Sequence, residues 1–516
     1  MRNKKSSESA QVLKRGSIKS VATGSAPHRG GTLDRKLSDE VTLSRQFQRA
    51  VRLDTDFGSV EALRGYICQG TARNVLEATA RHVVQTPQRA FIWTGPYGGG
   101  KSSLAVALCS LVTPNKVVRR AAMDVLDLAG AQQSDIVSVF SATKDGWLVL
   151  PVVGHRGSVV DAVSSCLDEF AGTSVLRSTK SGTRQRIALL FKALAEQAAE
   201  RVGNGVLLVI DELGKFLEAA SGDGDDIYFY QELADLAGRC KGRLIVVGIL
   251  HQSFEQYAHR LGSELRDEWR KVQGRYIDIP LVAASDEVVE LTGRAIHTAH
   301  AHPESLAIAM QVAQSIRHHR PGLSADFADR LDRCWPLHPV TVALLGPVSK
   351  RRFGQNERST FGFLASAETR SFREFLQTAR LGSGKTYTPA AYWDYLRTNL
   401  EPSILASTDS HRWSQSVEAV ERTEQKNQGG PLHVELVKTI ALIDLFRNGS
   451  GLVADDAVLG ACVCGADGAA LPAGKLQALL QDLRRWALVS FKRHQGSWAI
   501  SEGSDFDLDA ALAEAL

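Results

Sequence analysis

The sequence has no long hydrophobic run and few cysteines, and both absences narrow the class of protein. Its longest apolar runs, such as Leu244–Leu250, are far shorter than the ~20 residues that a membrane-spanning helix requires. The start of the chain carries charge without an apolar core, so a secretory signal is not indicated. The seven cysteines form neither a metal-type CxxC pair nor a dense disulfide framework, which is typical of reduced thiols. We therefore expect a cytoplasmic protein with no membrane partner.

A strong net charge and an internal repeat are also missing. The 61 Lys and Arg residues nearly balance the 57 Asp and Glu residues, which leaves a net charge of +4. This balance gives no general argument for a nucleic-acid partner, so any such contact must come from a local surface. No repeat of about 20 to 50 residues is evident, so a solenoid is not supported. The 516 residues are enough for roughly three or four domains with sizeable cores.

Composition and hydrophobic pattern divide the chain into successive regions. Residues 1–40 are rich in Ser, Gly, Lys and Arg without hydrophobic periodicity, which predicts a disordered basic tail. In residues 41–280, the runs AFIWT, WLVLPVV, VLLVI, RLIVVGIL and YIDI alternate with helical segments, which predicts an α/β fold with a five-stranded parallel sheet. Residues 281–400 are mainly helical and predict a lid domain. Residues 401–516 combine amphipathic helices with a hairpin, which predicts a winged-helix-like domain, and because they end inside a helical pattern we expect a truncated chain.

A phosphate-binding motif follows the first strand of the predicted sheet. Residues 95–102 read GPYGGGKS and match the Walker A pattern GxxxxGK[ST] between a strand and a helix. In this pattern backbone N–H groups wrap the phosphates, Lys101 reaches the β- and γ-phosphates, and the Ser102 hydroxyl ligates Mg²⁺. The motif therefore predicts a P-loop NTPase that binds ATP and Mg²⁺. The predicted nucleotide-binding residues are Gly95, Pro96, Tyr97, Gly98, Gly99, Gly100, Lys101, Ser102 and Ser103.

Two acidic residues end the third predicted strand, where a Walker B motif is expected. The strand VLLVI is followed by Asp211 and Glu212, at the sheet edge that meets the nucleotide. Asp211 is predicted to hold the Mg²⁺ shell. Glu212 is predicted to orient and deprotonate the attacking water, a role that a general base near the γ-phosphate performs. The alternative is that the two acids only cap a strand.

Polar residues near the last two strands are candidates for sensing the γ-phosphate. His251 and Gln252 follow the fourth strand, and we select Gln252 as a catalytic candidate. Arg266, Arg270 and Arg275 lie near the fifth strand, where one arginine is expected to serve a neighbouring subunit as an arginine finger. Arg275 is the preferred candidate because it abuts the strand, and surface salt bridging is the alternative for each arginine.

These motifs together resemble AAA+ and related additional-strand P-loop ATPases, which implies a helical lid and a winged helix after the sheet. A narrower resemblance rests on IDELGKFLE at 210–218, GILHQSFEQYA at 248–258 and WPLHPVTVALLGPVSKRRFGQNERSTFGFLAS at 335–366. These segments look like those of large ATP-binding proteins from bacterial phage-defence islands of the BREX type. The resemblance implies a homo-oligomer or a defence complex as the working assembly. It also makes Arg358 a candidate lid contact to the γ-phosphate, with an interdomain salt bridge as the alternative.

A local basic face is predicted on the winged helix. Its candidate recognition helix, at 474–488, and the following wing carry Lys475, Arg484, Arg485, Lys492, Arg493 and His494. Winged helices commonly place such a helix in a DNA groove, but many contact only protein, and Asp482 dilutes the charge here. DNA is therefore one predicted partner, and a protein-docking surface is the alternative.

The leading functional hypothesis is an ATPase whose hydrolysis drives conformational change in a bacterial defence or DNA-transaction complex. The alternative is a nucleotide-gated scaffold or switch with little turnover. Glu212 favours the first hypothesis, because a general base serves hydrolysis rather than binding. A P-loop kinase is a weaker third reading, since no acceptor-binding motif stands out.

Overall fold

The computed structural model describes most of the chain. The described residues are 35–44, 51–96, 98–130, 134–174, 183–223, 227–240, 243–252, 270–298, 302–351, 360–381, 384–463 and 471–501. Three of the predicted site residues, Tyr97, Arg266 and Arg358, lie outside these ranges, as does the greater part of the predicted basic tail.

The strands and helices occur in the following order along the described residues. The strands are β1 (Val41–Leu43), β2 (Ala90–Thr94), β3 (Leu148–Val153), β4 (Val206–Asp211), β5 (Leu244–Leu250), β6 (Ile277–Pro280), β7 (Ile296–Thr298), β8 (Val489–Lys492) and β9 (Ser497–Ile500). The helices are α1 (Leu53–Asp56), α2 (Val60–Arg64), α3 (Gly70–Gln85), α4 (Lys101–Leu111), α5 (Lys116–Val125), α6 (Asp135–Val139), α7 (Val159–Ala171), α8 (Thr183–Glu200), α9 (Leu213–Asp223), α10 (Ile227–Arg239), α11 (Ser285–Ala295), α12 (Pro303–His319), α13 (Phe327–Asp332), α14 (Pro339–Ser349), α15 (Thr360–Ala365), α16 (Phe372–Thr378), α17 (Pro389–Leu405), α18 (Ser410–Glu424), α19 (Pro431–Phe446), α20 (Asp456–Cys462) and α21 (Ala473–Arg485).

The five predicted strands form one parallel sheet in the order β3-β4-β5-β2-β6. The strand before the Walker A loop, β2, therefore lies between β5 and β6. β5 separates β2 from the Walker B strand β4, which is the additional strand that the resemblance implies. The sheet confirms the predicted α/β P-loop NTPase fold. All five parallel strands end at the same edge, and this brings the two motifs together.

The sheet is covered by a core on each face because side chains alternate along each strand. Phe91 and Trp93 of β2 pack on one face with α3 and α4. Ala90 and Ile92 pack on the other face, where α7 to α10 contribute. Every residue of β2, β4 and β5 is buried, as expected for a parallel sheet that has helices on both sides. This packing fixes the strand ends that carry the candidate site.

Ordered structure starts before the predicted end of the basic tail. Residues 37–39 form a short 3₁₀ helix, and β1 pairs with β7 in an antiparallel pair. The N–H of Leu37 donates to the Ala379 carbonyl at 2.9 Å, and the Leu37 side chain is buried in the helical core. The boundary predicted at residue 40 is therefore corrected, because residues 35–40 belong with the folded region. The lid helices supply the apolar contacts that offset the entropy cost of ordering this short segment.

The lid and the winged-helix-like region share a single hydrophobic core. The predicted division at residue 400 falls inside α17, so that boundary is corrected as well. Trp393 of α17 stacks on Trp413 of α18 at 4.5 Å between ring centroids, and both rings are fully buried. Trp393 precedes residue 400 and Trp413 follows it, so the shared core crosses the predicted division.

The winged-helix-like unit consists of α19, α20, α21 and the hairpin β8–β9. The hairpin pairs Val489 with Ile500 and Lys492 with Ser497. The N–H of Trp498 donates to the Ala454 carbonyl at 3.0 Å, which ties the hairpin to the segment before α20. This arrangement confirms the predicted helix and hairpin pattern. Among the helices described, none is both long and apolar enough to cross a membrane.

Candidate functional site

The loop between β2 and α4 requires glycine at several positions. Gly98 and Gly100 have φ values of 70° and 80°, in the left-handed region that other residues rarely adopt. A Cβ on Gly95 would lie 2.2 Å from the carbonyl oxygen of Leu281, so this position has no room for a side chain. The loop leads into the α4 N-terminus, where backbone N–H groups favour an anion. A polyphosphate fits this cradle.

Lys101 is buried at the base of this loop. Its Nζ donates hydrogen bonds to the carbonyl oxygens of Gly95 at 2.6 Å and Pro96 at 2.7 Å. Only 3% of the residue is exposed. These bonds satisfy an ammonium group that would otherwise be costly to bury. The side chain therefore occupies the concave side of the loop, close to where phosphates are predicted.

Asp211 and Ser102 bring two oxygen ligands together. Asp211 ends β4 and is buried, its carboxylate accepts the N–H of Glu212 at 2.8 Å, and it lines the same cleft as Ser102. Burial raises the pKa of the Asp211 carboxyl above its ordinary value, while the nearby Ser102 side chain and the Glu212 N–H oppose the rise. A hydroxyl and a carboxylate are hard oxygen donors of the kind that Mg²⁺ takes. The donor set thus fits the predicted metal.

Glu212 has an unusual backbone conformation. Its φ is 51°, in the left-handed region, which costs roughly 1–2 kcal/mol for a residue with a side chain. The conformation is fixed from the neighbouring strand end: Gly154 donates its N–H to the Asp211 carbonyl at 2.8 Å, and a Cβ on Gly154 would lie 2.1 Å from the Glu212 carbonyl. Strain of this kind is a common feature of functional positions. The carboxylate forms an ion pair with Lys215.

His251, rather than Gln252, reaches the candidate site. Of the two described residues that follow β5, His251 lines the cleft beside Lys101 and Glu212. Burial, together with the nearby Lys101 and Lys215, lowers the pKa of His251 to about 3. The ring is therefore neutral at neutral pH and can donate from one nitrogen and accept at the other. Gln252 does not line the cleft in this chain, and its catalytic role stays a prediction.

The motifs line a cleft of about 1450 Å³. The segment before β2 and the lid contribute apolar residues to its wall, and the segment before β2 also contributes the charged residues Arg52, Asp54, Asp56 and Glu61. These apolar lining residues are Val51, Leu53, Tyr66, Ile67, Ala72, Leu281, Val288 and Leu291. From the described part of the lid, Lys350 at the end of α14 also lines the cleft and brings a cation to it. Sequence reasoning missed this wall because no motif marks it.

Glu287 connects the lid to the sheet domain at the edge of the cleft. Its carboxylate accepts hydrogen bonds from the N–H and the hydroxyl of Thr71, at the start of α3. It also accepts from the Ala284 N–H, at the start of its own helix α11. One carboxylate therefore accepts hydrogen bonds at two helix N-termini. The partial positive charge of each N-terminus favours a carboxylate at this position.

Arg275 does not line the cleft of its own chain. Its Nε lies 3.2 Å from Oδ1 of Asp235 on α10, and its guanidinium also donates to the Lys271 carbonyl. Both side chains of the ion pair are about 40% exposed. Within a single chain, Arg275 therefore forms a surface salt bridge, which is the alternative to an arginine finger. A role towards a neighbouring subunit stays a prediction.

The predicted basic face of the winged helix is on the surface. Lys475, Arg484 and Arg485 of the α21 region are exposed, as are Arg493 and His494 in the hairpin turn. Arg485 donates to Asp482 at 2.8 Å, so part of the charge is neutralised within the helix.

Comparison with known proteins gives only weak matches, and all of them are to solved structures. No protein-family model matches the chain, and no curated protein matches its sequence. Among solved structures, the Aeropyrum pernix ORC2 protein in ADPNP–ADP complexes is 12% identical with a TM-score of 0.31, and its ADP form is 11% identical with a TM-score of 0.32. Each match covers 92% of this chain and 97% of that chain. Drosophila ORC bound to DNA is 14% identical, with a TM-score of 0.25 over 83% of this chain and 90% of that chain. Such low scores carry no functional inference.

Proposed function

We propose that this protein binds ATP with Mg²⁺ in the cleft and hydrolyses it. The observation that carries the proposal is that Ser102, Asp211 and Glu212 line the same cleft. This arrangement brings the Walker A helix and the Walker B strand together and places a candidate general base beside the candidate metal ligands. The bound metal would supply charge neutralisation for the phosphates.

Each residue of the site has a separate task in hydrolysis. The glycine loop and the α4 N-terminus bind the phosphates through backbone N–H groups, and Lys101 exchanges the loop carbonyls for phosphate oxygens. Glu212 accepts a proton from the attacking water. The neutral His251 orients that water or a phosphate oxygen through a hydrogen bond. Apolar residues of the cleft wall receive the adenine base, because flat rings gain free energy when apolar surfaces cover them.

The wider setting is also a proposal. We infer a cytoplasmic, oligomeric ATPase that drives conformational change in a defence or DNA-transaction complex, with Arg275 and Arg358 as candidate contacts to nucleotide. The defence setting is supported by the sequence resemblance of three segments. The DNA contact is supported by the exposed basic residues of the winged helix.

One observation favours a second function, a nucleotide-gated switch. The carboxylate of Glu212 is already engaged by Lys215, so a chain that keeps this ion pair with nucleotide bound would turn over slowly. The two functions share the binding site and differ only in turnover.

Replacing Lys101 tests nucleotide binding directly. We expect Lys101→Ala to weaken ATP binding at least about 100-fold, because an ammonium contributes charged hydrogen bonds of ~1.5–3 kcal/mol each. Affinity is measured by calorimetry with Mg²⁺, and folding by circular dichroism. Lys116→Ala, at an exposed lysine, is the control. Unchanged affinity in a folded Lys101→Ala chain would contradict the proposal, and steady-state hydrolysis by the wild type separates the ATPase from the switch.

A further inference from the structure

Lys215 lies in the first turn of α9, directly after the Walker B strand. Its Nζ forms an ion pair with Oε2 of Glu212, and its N–H donates to the Glu212 carbonyl at 3.0 Å. The side chain is 48% exposed and lines the same cleft as Lys101 and His251. A second ammonium group therefore stands beside the predicted phosphate site.

The stability of α9 does not explain a lysine at this position. The N-terminus of a helix carries partial positive charge, so a cation there costs about 0.3–1 kcal/mol. An exposed ion pair returns only about as much, because solvent screens it. The net electrostatic contribution of Lys215 to the stability of α9 is therefore close to zero. Because the side chain lines a ligand cleft, its position favours binding of an anion.

The neighbours of Lys215 also favour an anionic ligand. Lys101 and Lys215 lie near His251 and, together with burial, lower its pKa, so the ring is neutral. The imidazole therefore offers no negative charge to either lysine. Six described carboxylates line the cleft, and Glu212 is the one that pairs with Lys215. Asp211 accepts the Glu212 N–H, and the other four are bonded to other described residues; these four are Asp54, Asp56, Glu61 and Glu287. A polyphosphate is the anion that the glycine loop of this cleft accommodates.

We propose that Lys215 is a γ-phosphate contact that exchanges Glu212 for the phosphate when ATP enters the cleft. This inference rests on the proposed function. In the chain without nucleotide, Lys215 holds the candidate general base. With a third phosphate present, the ammonium moves to the phosphate and the Glu212 carboxylate becomes available to water. ADP lacks that phosphate and leaves the ion pair in place.

The exchange predicts that Lys215 sets the preference for ATP over ADP. A charged hydrogen bond to the terminal phosphate corresponds to about a 10- to 100-fold gain in affinity, reduced by the loss of the ion pair with Glu212. ADP affinity should not depend on Lys215, because the side chain keeps its protein partner.

The test compares Lys215→Met with a matched surface variant. Lys192 on α8 forms an exposed ion pair with Glu196, so Lys192→Met removes an equivalent charge away from the cleft. Dissociation constants for ADP and for a non-hydrolysable ATP analogue are measured by calorimetry with Mg²⁺. We expect Lys215→Met to weaken the ATP analogue about 10-fold with unchanged ADP affinity, Lys192→Met to change neither, and Lys215→Arg to retain most of the preference.

Other outcomes overturn the inference in distinguishable ways. An unchanged ratio of the two affinities in Lys215→Met, or an equal loss for both nucleotides, rules out a γ-phosphate contact while the ATP site stands. Failure of the wild-type chain to bind either nucleotide would contradict the proposed function itself. If Lys215→Met does not fold, the same comparison is made with Lys215→Gln, which keeps a polar side chain.

Discussion

Glu287 bonds Thr71 with both oxygens of its carboxylate: Oε1 accepts the backbone N–H at 2.7 Å and Oε2 accepts the hydroxyl at 2.6 Å. Gln69 completes the contact by donating its side-chain amide to the Glu287 carbonyl at 2.8 Å. The lid helix α11 is thus fastened to the start of α3, at the edge of the cleft.

Removing this carboxylate should loosen the lid locally. We expect Glu287→Ala to raise the hydrogen-exchange rate of the Thr71 amide and of the first turn of α11 by about 10-fold or more, because each lost bond to a charged acceptor corresponds to ~1.5–3 kcal/mol. Hydrogen-exchange mass spectrometry measures the change. Glu418→Ala, which removes an exposed i,i+4 partner of Arg422, is the control. Equal exchange in the two variants would show that other contacts hold the lid.

The role of Glu212 is tested by a change that keeps its size. We expect Glu212→Gln to bind ATP and Mg²⁺ but to slow hydrolysis by roughly 10²–10⁴-fold, the usual contribution of a positioned general base. Single-turnover hydrolysis with bound ATP is the measurement. Glu196→Gln, from the exposed pair on α8, is expected to behave as the wild type. If turnover survived intact, Glu212 would have only a structural role.

Gly154 should tolerate no side chain. A Cβ there would lie 2.1 Å from the Glu212 carbonyl and 3.1 Å from that of Asp211, so the two strand ends must separate. We expect Gly154→Ala to cost about 1–3 kcal/mol of stability, as overpacking does, and to lower hydrolysis at least several-fold. Thermal unfolding and ATPase assays check both effects. Gly130→Ala, where nothing lies within 4 Å of the added Cβ, should change neither.

The basic face of the winged helix predicts a salt-dependent DNA contact. If it binds phosphates, replacing Arg485, Lys492 and Arg493 by Ala should weaken duplex binding across sequences and flatten the salt dependence by about 0.9 in slope for each lost contact. Fluorescence anisotropy over a salt series measures the slope. A triple replacement of Arg64, Lys116 and Lys192, which are exposed elsewhere, serves as the control. An unaltered slope with retained ATPase activity would indicate a protein-docking surface.

The sequence by itself determined the parts of this protein that depend on neighbours in the chain. A strand, a glycine loop and a helix follow one another at residues 90–111, and the acids follow their strand at 206–212, so both motifs and all five strands were predictable. Parallel strands that end at one edge then bring Lys101 and Asp211 to the same cleft without further information.

Tertiary structure alone decided which distant residues complete the cleft and where the units divide. Glu287 bonds Thr71, which lies 216 positions away in the sequence, and Leu37 packs into a core built from the lid. Neither contact produces a recognisable pattern in the local sequence. Whether His251 or Gln252 lines the cleft depends on the direction of the chain after β5. The physical reason is common to these cases: local propensity and spacing act within a few residues, whereas partner choice is set by packing of elements that are remote in sequence.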